Sequence, residues 1–221
     1  MNIIDDATRK EVQEIFKNLT GEVKLIVFSR DNTIIIPGYE CPTCKDNETL
    51  IQEIGALSDK ITCKVYDHLR DKDEVQACRI DKIPATLVHG NDDSGIRFFG
   101  IPSGHEFSAL LNAIKIVSSG DPCLSQETLD MLSKITDPVH IQVFVTPSCP
   151  YCAPAVELAH SMALGNNNIT ADMVNANDFP ELAQQYTVHT VPKIIINEHY
   201  HTEGALSEST FAERLMSAVS I

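Results

Sequence analysis

Two kinds of hydrophobic pattern alternate along the chain. Short apolar runs, VKLIVF at 23–28 and VHIQVFV at 139–145, have the length and β-branched content of buried strands. ITCKVY at 61–66 instead alternates, with Ile61, Cys63 and Val65 on one face, and predicts a strand with one covered side. Further strands are predicted at 85–89, 95–100, 169–174, 193–197 and 200–204. Between them lie stretches of helix formers: 5–18, 44–59, 71–80, 104–118, 125–134, one starting near 150, then 178–186 and 207–219. The turn-rich GNDDSG at 90–95 joins two strands as a hairpin.

These elements repeat. Cys41 and Cys149 are 108 positions apart, and so are Pro84 and Pro192. Each half carries a Cys-x-x-Cys pair and, 43 residues after its first cysteine, a proline that opens an apolar run, PATLVHG or PKIIINEH. Each half therefore reads β-α-β-α-β-β-α. Its first strands form a parallel pair with a right-handed crossover helix, and its last two form an antiparallel hairpin. The break SSGDPCLSQ, with Gly120 and Pro122, places a boundary between a unit at 1–119 and a unit at 120–221. The predicted class is α/β, two tandem units with a mixed central sheet flanked by helices.

Charge narrows the possible partners. The formal net charge is −14, which repels phosphate backbones and anionic lipid, so neither nucleic acid nor membrane is an expected partner. The first residues, MNIIDDATRKEVQEIF, do not resemble a signal peptide, and no run of about eighteen apolar residues occurs. The expected location is cytoplasmic, where thiols are normally reduced. Seven cysteines, an odd number, do not suggest a static disulfide framework there, so the pairs are metal ligands or redox groups.

The surroundings of each pair favour redox chemistry. In TPSCPYC the strand ends near Val145 and a helix is predicted from about Pro150, a residue suited to a first helical position. Cys149 then stands where unpaired amides and the helix dipole stabilise a thiolate, the species that attacks disulfides. Cys152 follows on the same face, deeper, within reach of a mixed disulfide at Cys149. Cys41 and Cys44 permit the same roles. Cis bonds are predicted at Ile83–Pro84 and Val191–Pro192. The backbone groups before each proline would pair with an extended substrate segment, as an added strand does. Ile83, Pro84, Val191 and Pro192 thus form the expected substrate platform.

The order strand, CPYC, helix, strand, helix, Val-Pro-strand, strand, helix resembles the thioredoxin/glutaredoxin fold, and CPYC is similar to the glutaredoxin active-site sequence. Two such units in tandem, with GIRFFGIPSGHEF at 95–107, resemble the protein disulfide oxidoreductases of archaea and some thermophilic bacteria. The resemblance implies dithiol–disulfide exchange on protein disulfide or dithiol substrates at Cys41, Cys44, Cys149 and Cys152. It also implies reduction by a thioredoxin-reductase-like flavoprotein, no bound metal or cofactor, and two units joined edge to edge in one sheet.

Two features depart from that pattern. The first half has 13 residues from Phe28 to Cys41, against 5 from Phe144 to Cys149, and the extra segment RDNTIIIPGYE is expected to lid the first site or alter its partner. Val143 stands where thioredoxins place a buried Asp, so proton transfer at Cys152 requires another group or water. Rival readings fit less well. Zinc sites normally pair such motifs about 15–20 residues apart, whereas Cys44 and Cys149 are separated by 105. A structural bridge across so short a loop removes little chain entropy. Cys63 is expected in the core, and His199 and His201 at a solvated hairpin tip. Two other functions remain open: a dedicated electron relay to a peroxidase, and a redox-sensing scaffold without turnover.

Overall fold

The computed structural model describes residues 3–30 and 40–219. The first half comprises α1 (Asp6–Phe16), β1 (Val23–Ser29), α2 (Cys44–Gly55), β2 (Ile61–Asp67), α3 (Lys72–Ala77), β3 (Ala85–His89), β4 (Ile96–Phe99) and α4 (Glu106–Ser119). The second comprises α5 (Gln126–Leu132), β5 (Val139–Val145), α6 (Cys152–Gly165), β6 (Ile169–Asn175), α7 (Pro180–Gln185), β7 (Lys193–Ile196), β8 (Tyr200–Glu203) and α8 (Glu208–Val219). Most of the segment 30–40, to which the sequence assigns a lid, lies outside the described residues.

Among the described residues the strands form one eight-stranded sheet in the order β2-β1-β3-β4-β6-β5-β7-β8. β1 and β2 are parallel, as are β5 and β6, and each half ends in an antiparallel hairpin, β3–β4 or β7–β8. The halves meet where β4 runs parallel to β6, with Ile96 opposite Ala171 and Phe99 opposite Val174. β1, β4 and β5 consequently point the same way, and both Cys-x-x-Cys pairs follow strands that end at one edge of the sheet.

Alternation of side chains splits the core into layers. Val23, Leu25 and Val27 of β1 and Ile141, Val143 and Val145 of β5 face a large cluster roofed by α2, α4 and α6. Phe28, Leu87 and Phe99 face the opposite side, against Val75 and Ile80 near α3. Phe144, Val174 and Ile195 meet Leu182 and Ala183 of α7. Phe179 packs against both of these smaller clusters and so spans the junction between the halves. Val65, predicted on a covered face, is exposed, because α2 meets that face of the edge strand β2 at Ile61 and Cys63, beside Gly55. Cys63 is half-buried against the large cluster.

A polar network crosses the seam. Arg97 of β4 binds both carboxylate oxygens of Asp172 on β6, Nε to Oδ1 at 2.6 Å and Nη2 to Oδ2 at 3.0 Å. His140 of β5 lies 2.8 Å from Asp172 Oδ2 through Nε2 and 2.8 Å from Glu198 through Nδ1. Burial opposes the Asp172 charge, but Arg97 and His140 hold its pKa below the ordinary carboxylate value. No helix among the described residues is long and apolar enough to cross a membrane.

Candidate active site

Each pair turns directly into a helix. The amide of Cys152 donates to the carbonyl of Cys149 at 3.3 Å, and that of Cys44 to Cys41 at 3.4 Å. Residues 149–152 therefore form a tight turn. Helical bonding of the i to i+4 kind begins after it, so α6 starts at Cys152 and not near Pro150. The sequence-based boundary is early because a proline with helical φ also fits a turn. Cys149 stands one turn ahead of the free amides of α6. The Cα–Cα separations are 5.4 Å for Cys41–Cys44 and 5.5 Å for Cys149–Cys152, and both pairs lie at disulfide distance. Cys44 and Cys152 are fully buried, and Cys149 is the most exposed of the four at 9%.

The proline loops lie beside the pairs. Ile83–Pro84 and Val191–Pro192 are both cis. Cys149 Sγ is 3.7 Å from the carbonyl oxygen of Val191. An open cleft of about 560 Å³, lined by Thr146, Asn177, Pro180, Val188, His189 and Val191, adjoins this second site. A larger one, about 760 Å³, lies between Lys45, Asp46 and Thr49 of α2 and residues 101–104. Tyr151, between the second pair of cysteines, is 69% exposed.

The two sites differ chemically. Around the first, Ser29 donates to the Cys44 carbonyl at 3.4 Å and to Glu48 at 3.3 Å, Lys45 pairs with Glu48 at 3.1 Å, and buried Asn47 donates to Thr86 at 3.1 Å. The positions matching Ser29, Asn47, Glu48 and Thr86 in the second half are Val145, Ala155, Val156 and Ile194. The second dithiol therefore has an apolar shell.

A buried carboxyl stands at the start of the helix whose leading residues meet the loop before Cys149. Glu106 opens α4, is 1% exposed, and neither of its carboxylate oxygens has a hydrogen-bond partner. Burial pushes its pKa up to about 7. The preceding residue, His105, donates its amide to the Pro147 carbonyl at 3.3 Å, two residues before Cys149. Gly104 permits this approach: its φ is 64°, and a Cβ there would run into the Pro147 oxygen. Sequence reasoning names no role for Glu106, although an acid leading the apolar run EFSALLNAIKIV is a visible signal. Of the cysteines outside the pairs, Cys63 has its thiol pushed up to about 11, by burial and then by Glu48. Among the described residues no cluster of His, Cys, Asp and Glu is arranged to hold a metal ion.

Residues 139–217 match the family described as Thioredoxin domain. A protein disulfide oxidoreductase from Aeropyrum pernix is 29% identical, with 99% of this chain and 96% of that chain covered and a TM-score of 0.88. The alkylhydroperoxide reductase protein AhpF from Enterococcus faecalis is 25% identical, with 96% and 99% covered and a TM-score of 0.86. A curated relative, the alkyl hydroperoxide reductase F component of Staphylococcus epidermidis, is 30% identical over 94% of this chain and 36% of its own length. The chain thus spans about a third of the curated relatives it matches. With a thioredoxin domain matched in its second half, the same fold repeated in its first and a Cys-x-x-Cys pair in each, the chain is built of two tandem thioredoxin folds and is similar over nearly its whole length to a protein disulfide oxidoreductase.

Proposed function

We propose that the chain exchanges disulfides with protein substrates at two sites, Cys41 and Cys149 attacking and Cys44 and Cys152 resolving. The thiolate of Cys149 attacks one sulfur of a substrate disulfide and expels the other as a thiolate, leaving a mixed disulfide. Cys152 then attacks Cys149 Sγ and releases the reduced substrate, so the enzyme pair ends oxidised. Cys41 and Cys44 perform the same steps. The observation that carries this reading is the closeness of Cys149 Sγ to the Val191 carbonyl. A substrate strand that donates an amide to that carbonyl brings its disulfide to the sulfur, and the platform Ile83–Pro84 would serve the first site likewise.

Glu106 fits the missing proton acceptor. Cys152 is buried and must lose its proton to attack, and a buried carboxyl whose pKa burial raises to about 7, on the helix whose leading residue His105 meets Pro147, is suited to receive it. The units would divide at 119/120, where Gly120 closes α4 with a left-handed φ of 69°. Reducing equivalents would come from a thioredoxin-reductase-like flavoprotein in the cytoplasm. The names of the relatives favour one narrower reading, an electron relay to a peroxidase.

Insulin reduction by dithiothreitol tests the proposal. The protein should accelerate it, and Cys149→Ser should remove most of the acceleration. A relay would reduce one peroxidase well and insulin poorly, and a redox-sensing scaffold would turn over neither.

A further inference from the structure

A carboxylate of the second unit reaches the first dithiol. Asp178 lies on the loop between β6 and α7. Its Oδ2 accepts the amide of Ile101 at 3.0 Å; burial raises its pKa, and the Ile101 amide and the nearby side chain of Thr43, the residue before Cys44, act against that rise. The amide of Gly100, next to Ile101, donates to the Pro84 carbonyl at 2.9 Å. Gly100 has φ 95°, and a Cβ there would lie 2.5 Å from Asp178 Oδ2, so a side chain at 100 would displace the carboxylate. Hydrogen bonds and chain thus link Pro84, Gly100, Ile101 and Asp178, and Asp178 lies beside Thr43 at the first site. The residue 108 positions before Asp178 is Arg70, beside the outer edge strand, so the repeat offers the second site no equivalent carboxylate.

We propose that Asp178 is a positioning residue of the first dithiol site, supplied by the second unit. It fixes Thr43, and with it the Cys41–Cys44 turn, against the loop carrying Pro84, and it places negative charge near Cys41. This rests on the two-site reading above. Among the described residues, the ionisable groups on the segments that carry this site include Arg30 just after β1, Glu40, Lys45, Asp46 and Glu48 on α2, and Lys82 ahead of Pro84, and all stay unchanged in the test.

Asp178→Asn keeps the shape and the acceptor oxygen but removes the charge. In the reduced protein, the midpoint of the pH profile for Cys41 alkylation should fall by about half a pH unit, and that of Cys149 should stay. Asp178→Ala removes the brace as well. In a Cys149→Ser/Cys152→Ser background it should slow insulin reduction about fivefold, and in a Cys41→Ser/Cys44→Ser background less than twofold. An unmoved Cys41 midpoint in Asp178→Asn, or equal movement of both midpoints, would overturn the proposal. Absence of insulin reduction by the wild type would sink the parent reading instead, while the Cys41 midpoint still decides the role of Asp178.

Discussion

The sulfur of Cys149 lies 3.7 Å from the carbonyl oxygen of Val191, so the atom proposed to attack and the atom proposed to dock a substrate strand sit side by side. A substrate held at one is presented to the other. Removing the resolving thiol should then strand the reaction halfway. Cys152→Ser incubated with an oxidised protein substrate is expected to accumulate a mixed disulfide at Cys149, visible on a non-reducing gel. Cys149→Ser should accumulate none at this site, since Cys152 is fully buried. Equal trapping by both variants would reverse the assigned roles.

Glu106 makes stability depend on pH. Its native pKa of about 7 lies above the ordinary carboxylate value of 4.5. Between these values the native state keeps a proton that the unfolded chain has released, so stability falls as pH rises through the window. Ionising the buried group costs up to about 3 kcal/mol by pH 8. Glu106→Gln removes that loss. Urea unfolding of the variant relative to wild type should therefore improve by about this amount from pH 4.5 to pH 8. A difference that stays flat with pH would show that Glu106 does not titrate in this range.

The seam between the halves should fail asymmetrically. Arg97→Met leaves the buried Asp172 charge without its two-point partner and is expected to cost about 3 kcal/mol in denaturant unfolding. Adding Asp172→Asn should recover much of that, because the uncompensated charge is then gone. If the double variant is no better than the single one, the ion pair is not what Arg97 contributes.

Two glycines should separate the sites. Gly100→Ala introduces a Cβ against Asp178, and Gly104→Ala one against the Pro147 backbone, both at positive φ, with a strain of about 1–2 kcal/mol each before the clash. The first should chiefly slow exchange at Cys41–Cys44 and the second at Cys149–Cys152, read in backgrounds with one pair replaced by serines. Equal slowing at both pairs would mean a global effect.

Much of this is legible in the sequence. The strands at 139–145 and 85–89 have the bounds their residues predict, because continuous β-branched runs bounded by Gly or Pro signal buried strands. The repeat locates the four site cysteines and both prolines, since a spacing of 108 at two motifs constrains the halves against each other. Val65 departs from its expected burial because alternation shows that a strand has two faces, not whether a helix covers one of them. Glu106 and Asp178 escape sequence reasoning for a related cause. Asp178 meets the Ile101 amide of the other half, and the segment leading to Glu106 meets Pro147 of the other half; the parallel pairing of β4 with β6 brings these segments together, and no local pattern encodes that approach.

That same pairing governs what a client meets. Since every strand bearing a site runs in one direction, the second half repeats the first with a sideways shift and the rotation that sheet twist adds strand by strand. The dithiols stand four strand intervals apart, roughly 19 Å. A polypeptide entering either mouth must do so with the same N-to-C polarity. A globular client that moves from one station to the next must also turn, by roughly 80–100° over those four intervals, to follow the twist of the sheet.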